Sequence, residues 1–135
     1  MKILVDTCVW SLALRRAEVQ PDPVVGELRE LISELRVQMI GPVRQEILSG
    51  IKEVKQFDAL RLHLQSFPDF ALQPTDYERA AEFYNVCRSR GVQGANTDFL
   101  ICSISAQYQM PIFTVDNDFK HYQHLLPISL HSPRF

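Results

Sequence analysis

Two short runs of mostly apolar residues each end at a carboxylate. Residues 112–115 read Ile-Phe-Thr-Val and lead from Pro111 into Asp116. Residues 3–5 read Ile-Leu-Val and lead into Asp6 in the same way. Short apolar runs bounded by turn residues are typical of buried strands, and such strands belong to parallel sheets. We therefore predict a strand at each place, with an acid at its carboxyl end.

Two further segments, residues 37–40 and 128–130, predict additional strands. Between the strands, apolar residues recur at intervals of three and four, which predicts amphipathic helices. Asp22 and Pro23 are suited to the cap and the first position of one such helix. The predicted helices start near residues 7, 23, 43, 53, 76, 97 and 117.

The fifth of these helices carries the clearest start signal. Thr75 followed by Glu78 predicts a capping box, with the Thr75 hydroxyl as the cap. Residues at helical spacing behind it predict one buried stripe, made of Tyr77, Ala80, Ala81, Tyr84 and Cys87. Gly91 and Gly94 mark the exit of this helix.

Strands that alternate with helices predict an α/β fold, in which right-handed crossovers build a parallel sheet covered on both faces. At 135 residues, the chain fits one domain, residues 1–135, with a sizeable core. Parallel sheets bind ligands beyond the carboxyl ends of their strands. If the first strand and the strand at residue 112 are neighbours, Asp6 and Asp116 converge there.

Composition narrows the class of protein. The hydrophobic content of 46% and the charged content of 22% are ordinary for a globular protein. No apolar run approaches the roughly 18 residues that span a membrane, and the apolar start is cut short by Asp6, so we expect a cytoplasmic protein without membrane contact. The net charge of −2 gives no general attraction to nucleic acid. Three scattered cysteines, Cys8, Cys87 and Cys102, favour free thiols over disulfides or zinc.

Four acids occupy positions from which they could face one point. Asp6 and Asp116 end strands, Asp98 lies in a first helical turn, and Glu46 lies near the buried edge of its helix; Asp118 is a possible fifth. Clustered carboxylates repel one another, so such a site requires a cation. Oxygen ligands without clustered His or Cys favour Mg²⁺ or Mn²⁺ over zinc. One or two such ions could activate water against a phosphodiester.

Other interpretations exist for single acids. Asp98 would stabilise the start of any helix through the helix dipole, and Glu46 alone is typical of a solvated helix charge. The sequence from Asp116 onward does not fit a calcium loop, because His121 stands at the glycine position and Pro127 at the bidentate glutamate position.

With these residues in hand, the chain resembles a PIN-domain ribonuclease, more narrowly a VapC-type toxin of a toxin–antitoxin pair. The matching segments are residues 5–10, 45–50, 96–101 and 114–119, which include the four acids in order. The resemblance covers nearly the whole chain. It implies a three-layer α/β/α fold with a central parallel sheet of four to five strands.

The resemblance also implies the site. It implies that Asp6, Asp98 and Asp116 bind Mg²⁺ or Mn²⁺, that Glu46 completes the catalytic acids, and that Asp118 acts on the metal through water. Supporting roles fall to Thr7, Asn96 and Thr114.

The implied function is that of a metal-dependent endoribonuclease toxin that cleaves tRNA or rRNA. The implied partners are the RNA substrate, a small VapB-type antitoxin and a second copy of the chain. Two alternatives remain open from the sequence. One is a non-catalytic PIN-fold module that binds RNA or a partner and holds a structural ion; the other is a nuclease directed at DNA.

Overall fold

The computed structural model describes residues 1–16 and 22–134 of the chain, in which short strands are separated by groups of helices. In chain order they are β1 (Ile3–Val5), α1 (Thr7–Arg16), α2 (Pro23–Ser33), β2 (Val37–Gln38), α3 (Gly41–Leu48), α4 (Val54–Leu64), α5 (Pro74–Ser89), α6 (Asn96–Tyr108), β3 (Ile112–Phe113) and α7 (Asp118–Leu125). Asp22 caps α2 by accepting the Val24 N–H at 2.8 Å, as predicted. None of the described helices has the length and apolar character needed to cross a membrane.

β1 is the central strand of a parallel sheet with the order β2–β1–β3. Leu4 pairs with Ile112, and Val5 pairs with Phe113. The predicted α/β class is therefore confirmed, and so is the adjacency of the first strand and the strand at residue 112. Because parallel strands end at the same edge of a sheet, the residues that follow β1 and β3 lie side by side.

The sheet has three strands among the described residues, so the expected number of four to five was wrong. The predicted strand at residues 128–130 makes only an isolated bridge, between Ile112 and Leu130. Pro127 has no N–H to donate to a ladder, and the Ile128 N–H bonds back within its own turn. The pairing therefore does not extend beyond one residue.

β1 is buried on both faces. Ile3, Leu4 and Val5 are each at most 2% exposed, and successive side chains of a strand point to opposite faces. Other elements therefore cover both sides of the sheet, in agreement with a three-layer arrangement. Trp10 of α1 lies in this core, and its ring packs edge-to-face on Phe67 at 5.1 Å between centroids.

The start of α5 differs from the prediction. The helix begins at Pro74, and its cap is Gln73, not Thr75. Proline suits the first helical position because its φ is already fixed and its missing N–H would have no partner there. Asp76 thereby becomes the third helical residue, where its Oδ2 accepts the Gln73 N–H at 2.8 Å.

The buried stripe of α5 is also rotated from the predicted one. Ala80 and Cys87 are buried as predicted, but Ala81 is exposed and Tyr77 is 51% exposed. Their places in the core are taken by Asp76 and Phe83. Asp76 is buried because its carboxylate binds the Tyr108 hydroxyl at 3.1 Å as well as the helix start.

Candidate active site

Asp6 lies where the two central strands end. It follows β1, donates its N–H to Phe113 O at 2.9 Å and is only 5% exposed. Its Oδ1 accepts the Thr7 N–H at 2.8 Å, and its Oδ2 accepts the Thr114 hydroxyl at 2.8 Å. Residues after both β1 and β3 therefore fix this carboxylate in one orientation.

The environment of Asp6 opposes its negative charge. Burial raises the pKa of Asp6, and the nearby charge of Asp116 adds to the rise. Hydrogen bonds from Thr114, Cys8 and Thr7 lower the pKa without cancelling the effect of burial. A buried anion of this kind is costly unless a positive charge lies next to it. A cation in front of Asp6 would supply that charge.

Cys8 belongs to the same hydrogen-bond network. Its Sγ lies 3.3 Å from both Asp6 Oδ2 and Thr114 Oγ1, and it accepts the Val115 N–H at 3.4 Å. Burial and then the charge of Asp6 raise the pKa of Cys8 to about 11. The side chain is therefore a neutral thiol near pH 7, and it contributes to the position of Asp6.

Asp98 lies in the first turn of α6, and its Oδ2 accepts the Tyr122 hydroxyl at 2.8 Å. Burial raises the pKa of Asp98 to about 6, against the lowering effect of the Tyr122 hydrogen bond. The charges of Asp6 and Asp116 add to this rise. The three aspartates therefore act on one another electrostatically and share one charged region.

Asp116 lies in the turn between β3 and α7. Its N–H donates to Thr114 Oγ1 at 3.0 Å, and its Oδ1 accepts the Asp118 N–H at 2.9 Å. The carbonyl of Asp116 accepts the Phe119 N–H at 3.2 Å, which begins α7. These contacts hold Asp116 at the same sheet edge as Asp6.

Glu46 approaches this edge from α3. Its side chain is exposed, although the sequence pattern placed it near the buried edge of its helix. Val43 and Ile47 occupy the buried side of this short helix, which leaves Glu46 facing solvent. The Thr7 hydroxyl donates to Glu46 Oε1 at 2.6 Å, so the carboxylate is still anchored next to Asp6.

These side chains line one open cleft of about 450 Å³. Seven residues line the cleft, and none of them is basic: Asp6, Thr7, Cys8, Glu46, Ser49, Asp98 and Asp116. Four of the seven carry carboxylates. Thr114 stands behind Asp6 and contacts it without lining the cleft. Asp118 is exposed and is not part of the lining. Asn96 lines a different groove, between α5 and α6.

The chemical types of the donor atoms in the cleft suit a hard divalent cation. Carboxylate and hydroxyl oxygens are the ligands that Mg²⁺ and Mn²⁺ prefer, and no basic side chain lining the cleft offsets the acids. Within residues 1–16 and 22–134, however, no three Asp, Glu, His or Cys side chains lie close enough to hold one ion together. An ion held by three of these carboxylates would therefore require them to draw closer together than they lie here.

Three residues of the site do not stand out in the sequence. Cys8 and Ser49 lie in the matching segments 5–10 and 45–50, but Cys8 reads as an ordinary free thiol and no role was predicted for Ser49. Tyr122 offers a weak signal, because a tyrosine on the buried face of a helix needs a hydrogen-bond partner for its hydroxyl. Its partner, Asp98, is 24 residues away and cannot be identified without the fold.

Comparison with known proteins identifies the family and the fold. A family model described as the PIN domain matches residues 3–125. The fold is similar to that of FitAcB from Neisseria gonorrhoeae, at a TM-score of 0.74 and 22% identity over 97% of both chains. It is also similar to the fold of VapBC2 from Rickettsia felis, solved bound to a DNA fragment from their promoter. The TM-score is 0.78 and the sequence identity is 18%, over 97% of this chain and 98% of that chain. For VapBC-1 from nontypeable Haemophilus influenzae, the TM-score is 0.72 and the sequence identity is 14%, over 93% of this chain and 96% of that chain. No curated protein matches the chain significantly in sequence.

Proposed function

The chain belongs to the PIN-domain family, and we propose that it is a metal-dependent endoribonuclease, the toxin of a VapBC-type toxin–antitoxin pair. PIN domains are generally nucleases. The observation that carries the proposal is the cleft that Asp6, Glu46, Asp98 and Asp116 line together. A chain that only needed a stable fold would gain nothing from four carboxylates around one opening, because they repel one another.

We assign Mg²⁺ or Mn²⁺ to this cleft, held by Asp6, Asp98 and Asp116, with Asp118 acting through water. Such an ion, when bound, lowers the pKa of a water molecule and neutralises charge on a phosphodiester. The raised pKa values of Asp6 and Asp98 support the assignment. Their unfavourable charges are the ones that a cation would stabilise.

The remaining residues position the acids and handle protons. Thr114 holds Asp6 through Oδ2, and Thr7 holds Glu46 through Oε1. A carboxylate that accepts one hydroxyl keeps further lone pairs for a water proton, and exposed Glu46 is the acid best placed to accept one. Asn96 supports Asp98 only by starting α6, two residues ahead of it.

Three partners belong to the proposal: an RNA substrate drawn from tRNA or rRNA, a small VapB-type antitoxin, and a second copy of the chain. The structures of similar fold carry the names VapBC2, VapBC-1 and FitAcB. Because the sequence identities are low, this similarity supports the antitoxin partner only through the shared fold. The net charge of −2 offers RNA no general attraction, so we place the recognition at the metal and at local contacts. A toxin of cellular RNA acts in the cytoplasm.

Induced expression in a bacterium tests the proposal. Wild type and Asp58→Asn, which removes a carboxylate from an exposed ion pair with Arg61, should both arrest growth and fragment RNA. Asp6→Asn should do neither, and co-expression of the neighbouring small gene should relieve the arrest. Growth at the normal rate with wild type would favour a non-catalytic binding module. Fragmented DNA with intact RNA would favour a DNA nuclease.

A further inference from the structure

Tyr122 is fully buried, yet its hydroxyl reaches a residue of the cleft. The side chain is 0% exposed and donates to Asp98 Oδ2 at 2.8 Å. A buried tyrosine hydroxyl requires a partner, but a backbone carbonyl would serve for folding alone. Here the partner is an acid assigned to the metal, and the contact joins α7 to the first turn of α6.

A gap at Gly94 makes room for this hydroxyl. A Cβ placed on Gly94 would overlap Tyr122 Oη and would lie 2.8 Å from its Cζ, closer than side-chain atoms approach one another. The backbone of Gly94 does not adopt a positive φ, unlike that of Gly91 at 78°. Glycine is therefore needed here for space and not for an unusual backbone conformation.

Packed aromatic rings hold the phenol in place. The Tyr122 ring contacts Phe99 at 5.0 Å and Phe119 at 5.1 Å between centroids. Both of these side chains are at most 1% exposed. Because interior packing leaves little freedom, the hydroxyl has one available position, directly against Asp98.

We infer that Tyr122 is a positioning residue for the metal-binding acids, and that Gly94 is a glycine so that Tyr122 can reach Asp98. The inference rests on the proposed function. By occupying Oδ2, the phenol determines which oxygen of Asp98 faces the cleft. The turn at Asp116 begins the same helix, α7, that carries Tyr122. One rigid helix therefore sets the positions of two acids relative to each other.

Manganese binding by the metal-free protein, measured by calorimetry, tests this role. Loss of a hydrogen bond behind a metal ligand typically weakens metal binding by about 10- to 100-fold. We expect Tyr122→Phe to weaken Mn²⁺ binding about tenfold and to lower RNA cleavage at limiting Mn²⁺, with recovery at excess Mn²⁺. The matched control is Tyr84→Phe. Tyr84 packs on Phe99 at 5.5 Å, but its hydroxyl bonds to Arg88 at 2.9 Å, so wild-type binding is expected.

Two further variants separate the possible failures. Gly94→Ala should weaken Mn²⁺ binding in the same direction, and Tyr122→Phe should add nothing once Asp98→Asn is present. Wild-type Mn²⁺ binding by Tyr122→Phe would overturn the inference, and so would equal losses in Tyr122→Phe and Tyr84→Phe. Full Mn²⁺ binding and cleavage by Asp98→Asn would instead overturn the assignment of the acids. If Gly94→Ala does not fold, the comparison of Tyr122→Phe with Tyr84→Phe still tests the inference.

Discussion

Thr114 donates a hydrogen bond of 2.8 Å to Asp6, although 108 residues separate the two along the chain. The parallel pairing of Val5 with Phe113 creates this contact, because each partner lies just beyond a paired strand. The most buried acid of the cleft is thus held by the neighbouring strand's loop and not by its own helix alone.

Removal of the Thr114 hydroxyl should loosen Asp6. Thr114→Val keeps the shape of the side chain but loses the donor, and we expect RNA cleavage to fall about tenfold, the scale seen when partners of metal ligands are removed. The hydrogen bond from Thr114 lowers the pKa of Asp6, so its loss should raise that pKa further. The increase of activity with pH should therefore occur at higher pH. Rates measured against pH with Mn²⁺ test this. Thr114→Ser should behave as wild type, and an unchanged rate and profile in Thr114→Val would contradict the role.

Asp98 should make the metal-free protein less stable at pH 7 than at pH 5. An unfolded aspartate titrates near 3.8, whereas burial raises the pKa of folded Asp98 to about 6. Between these pH values the folded state keeps the Asp98 proton, whereas the unfolded chain loses it. Protonated Asp98 therefore stabilises the folded state at low pH, and this stabilisation is lost as the pH rises through about 6. After allowance for partial exposure, we expect a loss of about 1 kcal/mol. Urea unfolding in chelator at both pH values measures it.

Asp98→Asn is the matched variant for this effect. The amide cannot ionise, so the variant should be more stable than wild type at pH 7 and should lose that advantage at pH 5. Added Mn²⁺ should raise the melting temperature of wild type but not of the variant. Marked unfolding of Asp98→Asn at pH 7 would mean that the acid has a structural role.

Cys8 should resist alkylation although it lines the cleft. Thiolates are the reactive form of cysteine, and burial together with the charge of Asp6 raises the pKa of Cys8 to about 11. Iodoacetamide at pH 7 should therefore leave Cys8 unmodified in the folded protein and modify it in urea, as read by peptide mass spectrometry. Rapid modification of the folded protein would show that the network around Asp6 is open.

Loss of the Glu27 carboxylate should destabilise the fold. Glu27 is 1% exposed and binds His131 Nε2 at 2.7 Å and Arg134 Nε at 3.0 Å, which ties residues 131–134 to α2. Loss of one partner from a buried ion pair costs about 3 kcal/mol, so we expect Glu27→Gln to lose stability on this scale in urea unfolding. Glu34→Gln, which removes an exposed partner of Arg134, should cost much less, because exposed ion pairs contribute little to stability. Equal losses would contradict the buried role.

The pH dependence of Glu27 should be opposite in sign to that of Asp98. Burial alone would raise the pKa of Glu27, but hydrogen bonds from Arg134 and His131 outweigh it and hold the pKa below the usual 4.5. The folded state thus prefers the charged form, and the contribution of Glu27 to stability is present above pH 4.5 and is lost as the pH falls below that value. Unfolding of Glu27→Gln and wild type should converge in this acidic range.

Much of the site follows from local sequence, because a strand and the acid at its end are adjacent in the chain. Asp6 and Asp116 could be placed at one sheet edge from two apolar runs and the general geometry of parallel sheets. The same local reasoning failed at α5, where the helix begins at Pro74, and where Asp76 and Phe83 face the core in place of Tyr77 and Ala81.

Contacts between distant elements could not be predicted in this way. The bond from Tyr122 to Asp98 depends on the path of α7 and on the missing side chain of Gly94. The exposure of Glu46 depends on which side of α3 packs inward. The single bridge at Leu130 depends on the turn at Pro127. Each of these is decided by tertiary packing that no short segment specifies.

Cleavage of purified RNA by the purified protein tests the central claim most directly. Wild type and Asp58→Asn should cut RNA in Mn²⁺ or Mg²⁺, stop in chelator, and recover when the ion is restored. Asp6→Asn and Asp98→Asn should remain folded and inactive under all of these conditions. RNA cleavage that persists in chelator, or in folded Asp6→Asn and Asp98→Asn, would contradict a metal-dependent nuclease site built on these acids.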